Sequence, residues 1–402
     1  MHFPTFTFRL AALAAGLTLT AGCAGSQHSL GTGPSADLLV YIGTNTGTEA
    51  QSNSIYLYRL STYTGALIPL SVQPGGAQPT YLTVDAAHRY LYAVSETGTF
   101  KGQPNTGGVS AFRIDPRTAS LTLLDQQPSA GGGPCYISLD RAGKNALVAN
   151  YGGGTVAMLP VQADGQLAPA SASDVHQPPL GPHANQDHAH AHCFLTDPAN
   201  RYAFAVDLGT DKVYGYRLDA DRHRLTPQAS PAFKAKAGAG PRHLVFHPNG
   251  RFAYLENELN SSVTALSYDA ASGTFTELET QSTLPKGFVG DNSGADVHVS
   301  PDGRFLYTSN RGDNSLAVFS IDTGTGRLAL IEHVSTQGKT PRNFNLTPDG
   351  RLLLVANQNS GNVFSYFVDK RTGRLRPTGQ SAQVPTPMFV QFLPDVAGAK
   401  GK

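Results

Sequence analysis

The sequence predicts an all-β fold: a single seven-bladed β-propeller of four-stranded antiparallel blades. Three observations predict it. A hairpin pattern recurs about every fifty residues, a second pair of strands follows each copy, and the two chain ends carry complementary halves of one more hairpin.

The clearest copy is PRHLVFHPNGRFAYLEN at 241–257, where Asn249-Gly250 between two apolar runs signals a hairpin. It resembles GADVHVSPDGRFLYTSN (294–310) and PRNFNLTPDGRLLLVAN (341–357). Earlier copies are PTYLTVDAAHRYLYAVS (79–95), PCYISLDRAGKNALVAN (134–150) and AHCFLTDPANRYAFAVD (191–207). The copies begin at 79, 134, 191, 241, 294 and 341, in steps of 55, 57, 50, 53 and 47 residues. After each come alternating runs such as SLAVFSIDTGTGRLALI, so one unit is four strands, the size of a propeller blade. The seventh unit is split. DLLVYIGTN (37–45) matches the second half of the hairpin, and PTPMFVQF (385–392) matches the first. Their pairing would close the ring and remove exposed sheet edges. Residues 37–394 are therefore expected to be one domain, although 402 residues would by length alone suggest two or three. WD40 and kelch signatures are missing, and there is no Trp.

Composition narrows the function. Lys+Arg 30 against Asp+Glu 29 gives a net charge of +1, which argues against nucleic acid, whose phosphates demand a basic face. The first 23 residues read as an export signal, with Arg9 before the apolar stretch from Leu10 to Leu19, too short to span a bilayer. Leu19-Thr20-Ala21-Gly22-Cys23 resembles a bacterial lipobox, with Thr20 where Leu is usual; it implies a lipid on Cys23 as the sole membrane attachment. Residues 24–36 form a polar linker and 395–402 a tail. The mature domain is expected in the periplasm or cell envelope, as a monomer. Cys135 and Cys193 read as buried thiols rather than a disulfide framework.

With the first residue of each copy at offset 0, the turn falls near offset 9, and offsets +1 and +17 meet at the open end of the hairpin. Offset +1 reads Thr80, Cys135, His192, Arg242, Ala295, Arg342 and Thr386; offset +17 reads Thr46, Glu96, Tyr151, Leu208, Glu258, Arg311 and Gln358. Charged groups are rarely buried without partners, so these residues predict a shared polar pocket at one end of the central channel. Offset +16, with Asn45, Ser95, Asn150, Asp207, Asn257, Asn310 and Asn357, reads as structural capping of strand ends. His183, His188, His190 and His192 fall in GPHANQDHAHAH; the first two are placed in a solvated loop, so no metal site is expected.

HAHCFLTDPANRYAFAVDLGTDKVYGY, GAGPRHLVFHPNGRFAYLENELNSSV, NRGDNSLAVF and KTPRNFNLTPDGRLLLVANQ together resemble the lactonase family of seven-bladed propellers. That family includes 6-phosphogluconolactonase and a carboxy-muconate lactonising enzyme, and the resemblance covers nearly all of 37–394. It implies hydrolysis of a sugar-acid lactone, with catalytic residues at His192, Arg242, Glu258 and Arg311 and weaker matches at Arg342 and His190. Asp187, where the family commonly has proline, departs from the pattern. Glu96 and Gln358 join the substrate-binding set by offset alone. An anionic lactone or sugar acid is the expected partner, and no cofactor is expected.

His192 has the better unperturbed pKa for a general base; Glu258 beside Arg242 should have a lowered one and act as an orienting partner. The arginines would hold the anion and the developing oxyanion. Two other readings stay open: a muconate-type cycloisomerase, and a ligand-binding propeller of the envelope without activity.

Overall fold

A computed structural model describes residues 37–48 and 52–394. The expected signal peptide, Cys23, the linker and the tail 395–402 lie outside the described residues. Those described contain no helix. Their strands form seven antiparallel blades of four strands; in blade 4 a short extra strand, Phe233–Lys234, also pairs with the third strand, and Thr99–Phe100 pairs with Gln103–Pro104 apart from the blades. Blade 1 runs Pro387–Pro394, Leu38–Thr44, Asn53–Leu60 and Leu67–Pro74 from first strand to last. Blade 2 runs Leu82–Val84, Tyr90–Ser95, Gly108–Ile114 and Leu121–Pro128. Blades 3 to 7 open with Pro134–Leu139, Ala191–Thr196, Pro241–Phe246, Gly294–Val299 and Pro341–Leu346. Each first strand touches the first strand of the next blade, from blade 1 round to blade 7 and back, so these strands form the innermost ring.

The chain ends close that ring as expected, with Leu38 opposite Pro394 and Thr44 opposite Pro387. The register corrects the sequence alignment. The last strand begins at Pro387, so Met388 rather than Thr386 takes offset +1, and Thr44 and Asn45 take +16 and +17. Thr386 instead has φ 39°, the left-handed residue that precedes the first strand, as Gln78, Gly133, Gly240 and Thr340 do elsewhere. The first half thus slips by two residues, which preserves the alternation of faces and hides the slip from the apolar pattern, while the second half slips by one, from Asn45 to Thr44 at +16.

The predicted turn position holds in every complete copy. Offset 9 is left-handed at His88, Gly143, Asn200, Gly250, Gly303 and Gly350. Asn249 does not share that conformation, so the 247–251 connection is a longer loop rather than a two-residue turn.

Seven apolar clusters hold the disc together, one at each blade interface. Leu147, Val156 and Phe194 lie between blades 3 and 4, and Tyr307, Leu353 and Val355 between blades 6 and 7. Second-strand tyrosines add a repeated bolt. Tyr41, Tyr92, Tyr254 and Tyr307 donate their hydroxyls to the carbonyls of Ala119, Gly165, Gly326 and Gly373 in the next blade, at 2.6–3.1 Å. Burial pushes all four phenols well up, which keeps each a donor.

Candidate active site

The open end of each hairpin has a common local design. Offset 0 pairs with offset +16, and the register then shifts, leaving Cys135, His192, Arg242, Arg342 and Met388 bulged. A bulge re-aims the side chain it carries. The residue at +17 follows the second strand, its N–H held by the carbonyl at offset −1. Glu258 donates to Gly240 at 2.7 Å, Arg311 to Ser293 at 2.8 Å and Gln358 to Thr340 at 2.9 Å. Offset +16 proves structural: Asn150, Asn310 and Asn357 donate to the carbonyls of Ser129, Thr283 and Thr336.

The charged residues meet as the spacing predicts. Glu258 Oε2 lies 3.0 Å from Arg242 Nε and 2.9 Å from Arg311 Nη2. Arg242 belongs to blade 5 and Arg311 to blade 6, so one carboxylate joins two blades. The Arg242 Nε–H does not aim at the oxygen, which makes this contact a charge pair rather than a directed hydrogen bond. Arg242 is 1% exposed. Its Nη1 donates to the Ala295 carbonyl and lies 3.3 Å from His243 Nε2; Nη2 has no partner among the described residues. Arg311 Nε and Nη2 donate to the Gly294 carbonyl at 3.2 and 2.6 Å, leaving Nη1 open. Arg342 is held more loosely, with Nη2 3.8 Å from Glu96 Oε1.

Burial alone would push the Glu258 carboxyl up; Arg311, Arg242 and Arg342 outweigh it and hold the group below its ordinary range. That matches the sequence expectation. Burial, Arg242, His243 and Arg342 push His192 well below 6.5, so its imidazole is neutral. His192 Nδ1 is buried and unpartnered, and its ring meets His243 at 5.1 Å and Tyr151 at 5.5 Å.

Two expected members stand apart. His190 lies across Tyr151 from His192, stacked on that ring at 4.3 Å. Its Nδ1 meets the Tyr151 carbonyl at 3.1 Å and its Nε2 meets Asp187 at 2.9 Å, which consumes both nitrogens. Gln358 is half-buried just past its strand end, and its side chain makes no hydrogen bond to the arginines. Asp187, His188 and His190 could gather round a cation, their ligand atoms lying within 4.8 Å. Asp187 Oδ1 sits 2.9 Å from both imidazoles, however, a hydrogen-bond spacing that already uses those atoms. Cys135 and Cys193 are buried and free.

Sequence reasoning missed a layer directly beneath. Offset +2 reads Tyr81, Tyr136, Cys193, His243, Asp296, Asn343 and Phe389, all within the innermost strands or at their start. Tyr81 packs on Tyr136 and Phe389 at 4.4 and 4.0 Å, and both tyrosines reach His243 from across the ring. Reading offset +2 down the same alignment would have revealed it. Glu256 was also missed. Both its oxygens are buried without partners, and burial together with Glu258 pushes it well up, so it is neutral. Gly294 makes room for it, since a Cβ there would stand 1.5 Å from Glu256 Oε1.

A cleft of about 940 Å³ lies elsewhere, between the hairpin turns of blades 2 and 3 and beside blade 4, lined by Asp85, Arg89, Asp140, Lys144, Asp221 and His223 among others. It occupies the opposite strand ends, about 15 Å away at ~3.3 Å per residue. Its exposed Lys144–Asp221 pair offers no converging buried charge.

Residues 39–392 match the family model described as lactonase, 7-bladed beta-propeller. A Bacillus subtilis protein named 6-phosphogluconolactonase is 38% identical over 304 residues, 76% of this chain and 83% of the relative. One of the same name from Formosa agariphila is 34% identical over 309 residues, 76% and 85% of the two chains. The solved structure of a periplasmic gluconolactonase from Pseudomonas aeruginosa superposes with TM-score 0.82 at 36% identity, covering 89% of this chain and 99% of that one. The chain belongs to the seven-bladed β-propeller lactonase family.

Proposed function

We propose that this protein hydrolyses a sugar-acid lactone at the open end of its first strands. The observation that carries the reading is one carboxylate, Glu258, shared by Arg242 and Arg311 beside the neutral, unpartnered His192. Water adds to the lactone carbonyl carbon and passes its proton to His192. The carbonyl oxygen becomes an oxyanion facing Arg242 Nη2, the one guanidinium nitrogen of that residue left open. The ring C–O bond then breaks, His192 returns the proton to the departing oxygen, and the open-chain acid leaves, releasing its own proton to solvent to become the carboxylate. Glu258 orients the two arginines throughout. Arg342, the loosest of the three, contacts the polyol or acid end of the substrate, with Glu96 beside it.

Charge favours this reading. Three arginines face Glu258 and Glu96, so the groups that line the mouth carry one more cation than anion. That suits a neutral lactone whose transition state gains one negative charge. The names of the relatives, 6-phosphogluconolactonase and gluconolactonase, agree with the substrate class. The test is acid release from glucono-δ-lactone above its spontaneous rate, lost in Arg242→Ala. No release from this lactone, from its 6-phosphate or from a wider lactone panel would sink the proposal.

We infer export as well, from Arg9, the apolar Leu10–Leu19 stretch and Cys23. The Pseudomonas relative is periplasmic by name. Cys23→Ala should move the protein from the membrane to the soluble envelope fraction; an unchanged distribution argues against lipidation.

A further inference from the structure

We propose that His243 and Asp296 form a positioning dyad that aims Arg242 at the substrate. The proposal rests on the reading that Arg242 faces the reacting carbonyl.

Hydrogen-bond inventory determines the state of the dyad. Arg242 Nη1, 3.3 Å from His243 Nε2, can only donate, so Nε2 must present its lone pair. The ring proton therefore sits on Nδ1, which donates to Asp296 Oδ1 at 2.8 Å. Asp296 is suited to that role, because every group reaching it is a donor. Oδ1 also accepts from the Val297 N–H at 2.9 Å, and Oδ2 meets His298 Nε2 at 3.1 Å and Asn343 Nδ2 at 2.5 Å. Burial would push Asp296 up; His298 and His243 outweigh it and keep the group anionic. Burial and the Arg242 charge lower His243 to about 4, so the ring stays neutral with its acceptor turned to the guanidinium.

The dyad is also braced from outside its own blades. Asn343 belongs to blade 7 and accepts the Val390 N–H of blade 1 at 2.9 Å. Tyr136 and Tyr81 close on His243 edge-on from blades 3 and 2. Blades 5, 6, 7 and 1 thus share one hydrogen-bonded chain ending on Arg242. With Glu258 beside Nε and His243 and Ala295 on Nη1, the guanidinium is held at two of its three nitrogens, and Nη2 has no partner among the described residues. A guanidinium held this way stabilises a transition state without reorganising.

The experiment separates this idea from the reading beneath it. Arg242→Lys is measured first on glucono-δ-lactone: loss of activity supports the role of Arg242, and full activity overturns that role and with it the dyad. His243→Asn and His243→Gln are then compared. Asn keeps an amide where Nδ1 stood and so satisfies Asp296, but it cannot reach Arg242. Gln places its carbonyl near the position of Nε2. We expect His243→Asn to lose ~10- to 100-fold in kcat with KM within about threefold, and His243→Gln to recover most of the loss. A purely structural role would lower thermal stability in both and leave the kcat of the folded fraction alone. Full kcat in His243→Asn, or equal losses in Asn and Gln, overturns the dyad. Should His243→Asn fail to fold, Asp296→Asn is read in its place: undiminished kcat there overturns the proposal equally, and a similar loss at unchanged KM supports it.

Discussion

The candidate site has two halves that hold their arginines differently. On the side of blades 5 and 6, Arg242 and Arg311 share Glu258 at 3.0 and 2.9 Å and are backed by the carbonyls of Ala295 and Gly294. Across the ring, Arg342 of blade 7 meets Glu96 of blade 2 at 3.8 Å with no hydrogen bond, and is the most exposed of the three, at 19% against 2% and 11% for the side chains of Arg242 and Arg311. A cation with its partners in place costs no reorganisation when charge develops, whereas a loosely held one adapts to the bound molecule. The first half is built for the transition state and the second for the substrate. Kinetics can break that division.

The largest effect is expected in the rigid half. Arg242→Ala removes an oxyanion donor and one of the two cations on Glu258, so kcat should fall about 10³-fold. A loss confined to KM, in initial rates of acid release, would place Arg242 with the adaptable half. His192→Gln should cost 10²- to 10⁴-fold, the range for a general base. Glu258→Gln should cost less than His192→Gln, because an amide oxygen can still face the two guanidiniums. The reverse order, read from kcat of the folded protein, would make Glu258 the base.

In the adaptable half, Arg342→Gln should raise KM about tenfold with kcat within threefold. The looser Arg342–Glu96 contact is expected to tighten only against a ligand, so a structure with gluconate bound that leaves Arg342 unmoved and uncontacted would remove its assigned task.

The acid side of the pH profile sharpens the comparison further. His192 must be neutral to accept a proton, and burial with Arg242, His243 and Arg342 lowers its pKa well below 6.5. As pH falls, kcat/KM should therefore hold past the ordinary histidine value and decline only below it. Arg342→Gln removes one of the charges that depress His192, so the midpoint should move up. A wild-type midpoint at or above 6.5 would detach His192 from the limb.

How much of this was legible beforehand follows from what repeats. Turn position, blade count and the convergence of offsets +1 and +17 recur along the chain, so one alignment exposed them, and Arg242, Glu258 and Arg311 fell together as that alignment required. The bulge at offset +1 was not legible, because the chain inserts a residue without breaking the apolar pattern. The closing blade was misread by two residues in its C-terminal half, since both 385 and 387 are prolines and share one parity, and by one in its N-terminal half, where Asn45 was set against the asparagines that end other copies. His243 and Asp296 escaped notice because their row mixes aromatic, sulfur and polar residues, and their pairing crosses 53 positions of sequence between two blades. His190 matched the family motif, yet its nitrogens are spent on Tyr151 and Asp187, and Asp187 is the residue where this chain departs from the pattern.

The smallest effect belongs away from both halves, at the bolts between blades. Tyr254 donates its hydroxyl to the Gly326 carbonyl at 3.1 Å, joining blade 5, which carries Arg242 and Glu258, to blade 6, which carries Arg311. Tyr254→Phe leaves that carbonyl without its donor inside a buried interface, at a cost of about 1–2 kcal/mol. The ring, however, is set by the apolar cluster of Tyr254, Val263, Leu306 and Phe319, which the phenylalanine preserves. Unfolding should therefore shift to slightly lower denaturant with an unchanged slope, while kcat and KM stay as they were. If kcat fell instead, the distance between Arg242 and Arg311 would depend on the outer bolt, and the rigidity of the blade 5–6 half would arise from the blade interface rather than from the carboxylate the two arginines share.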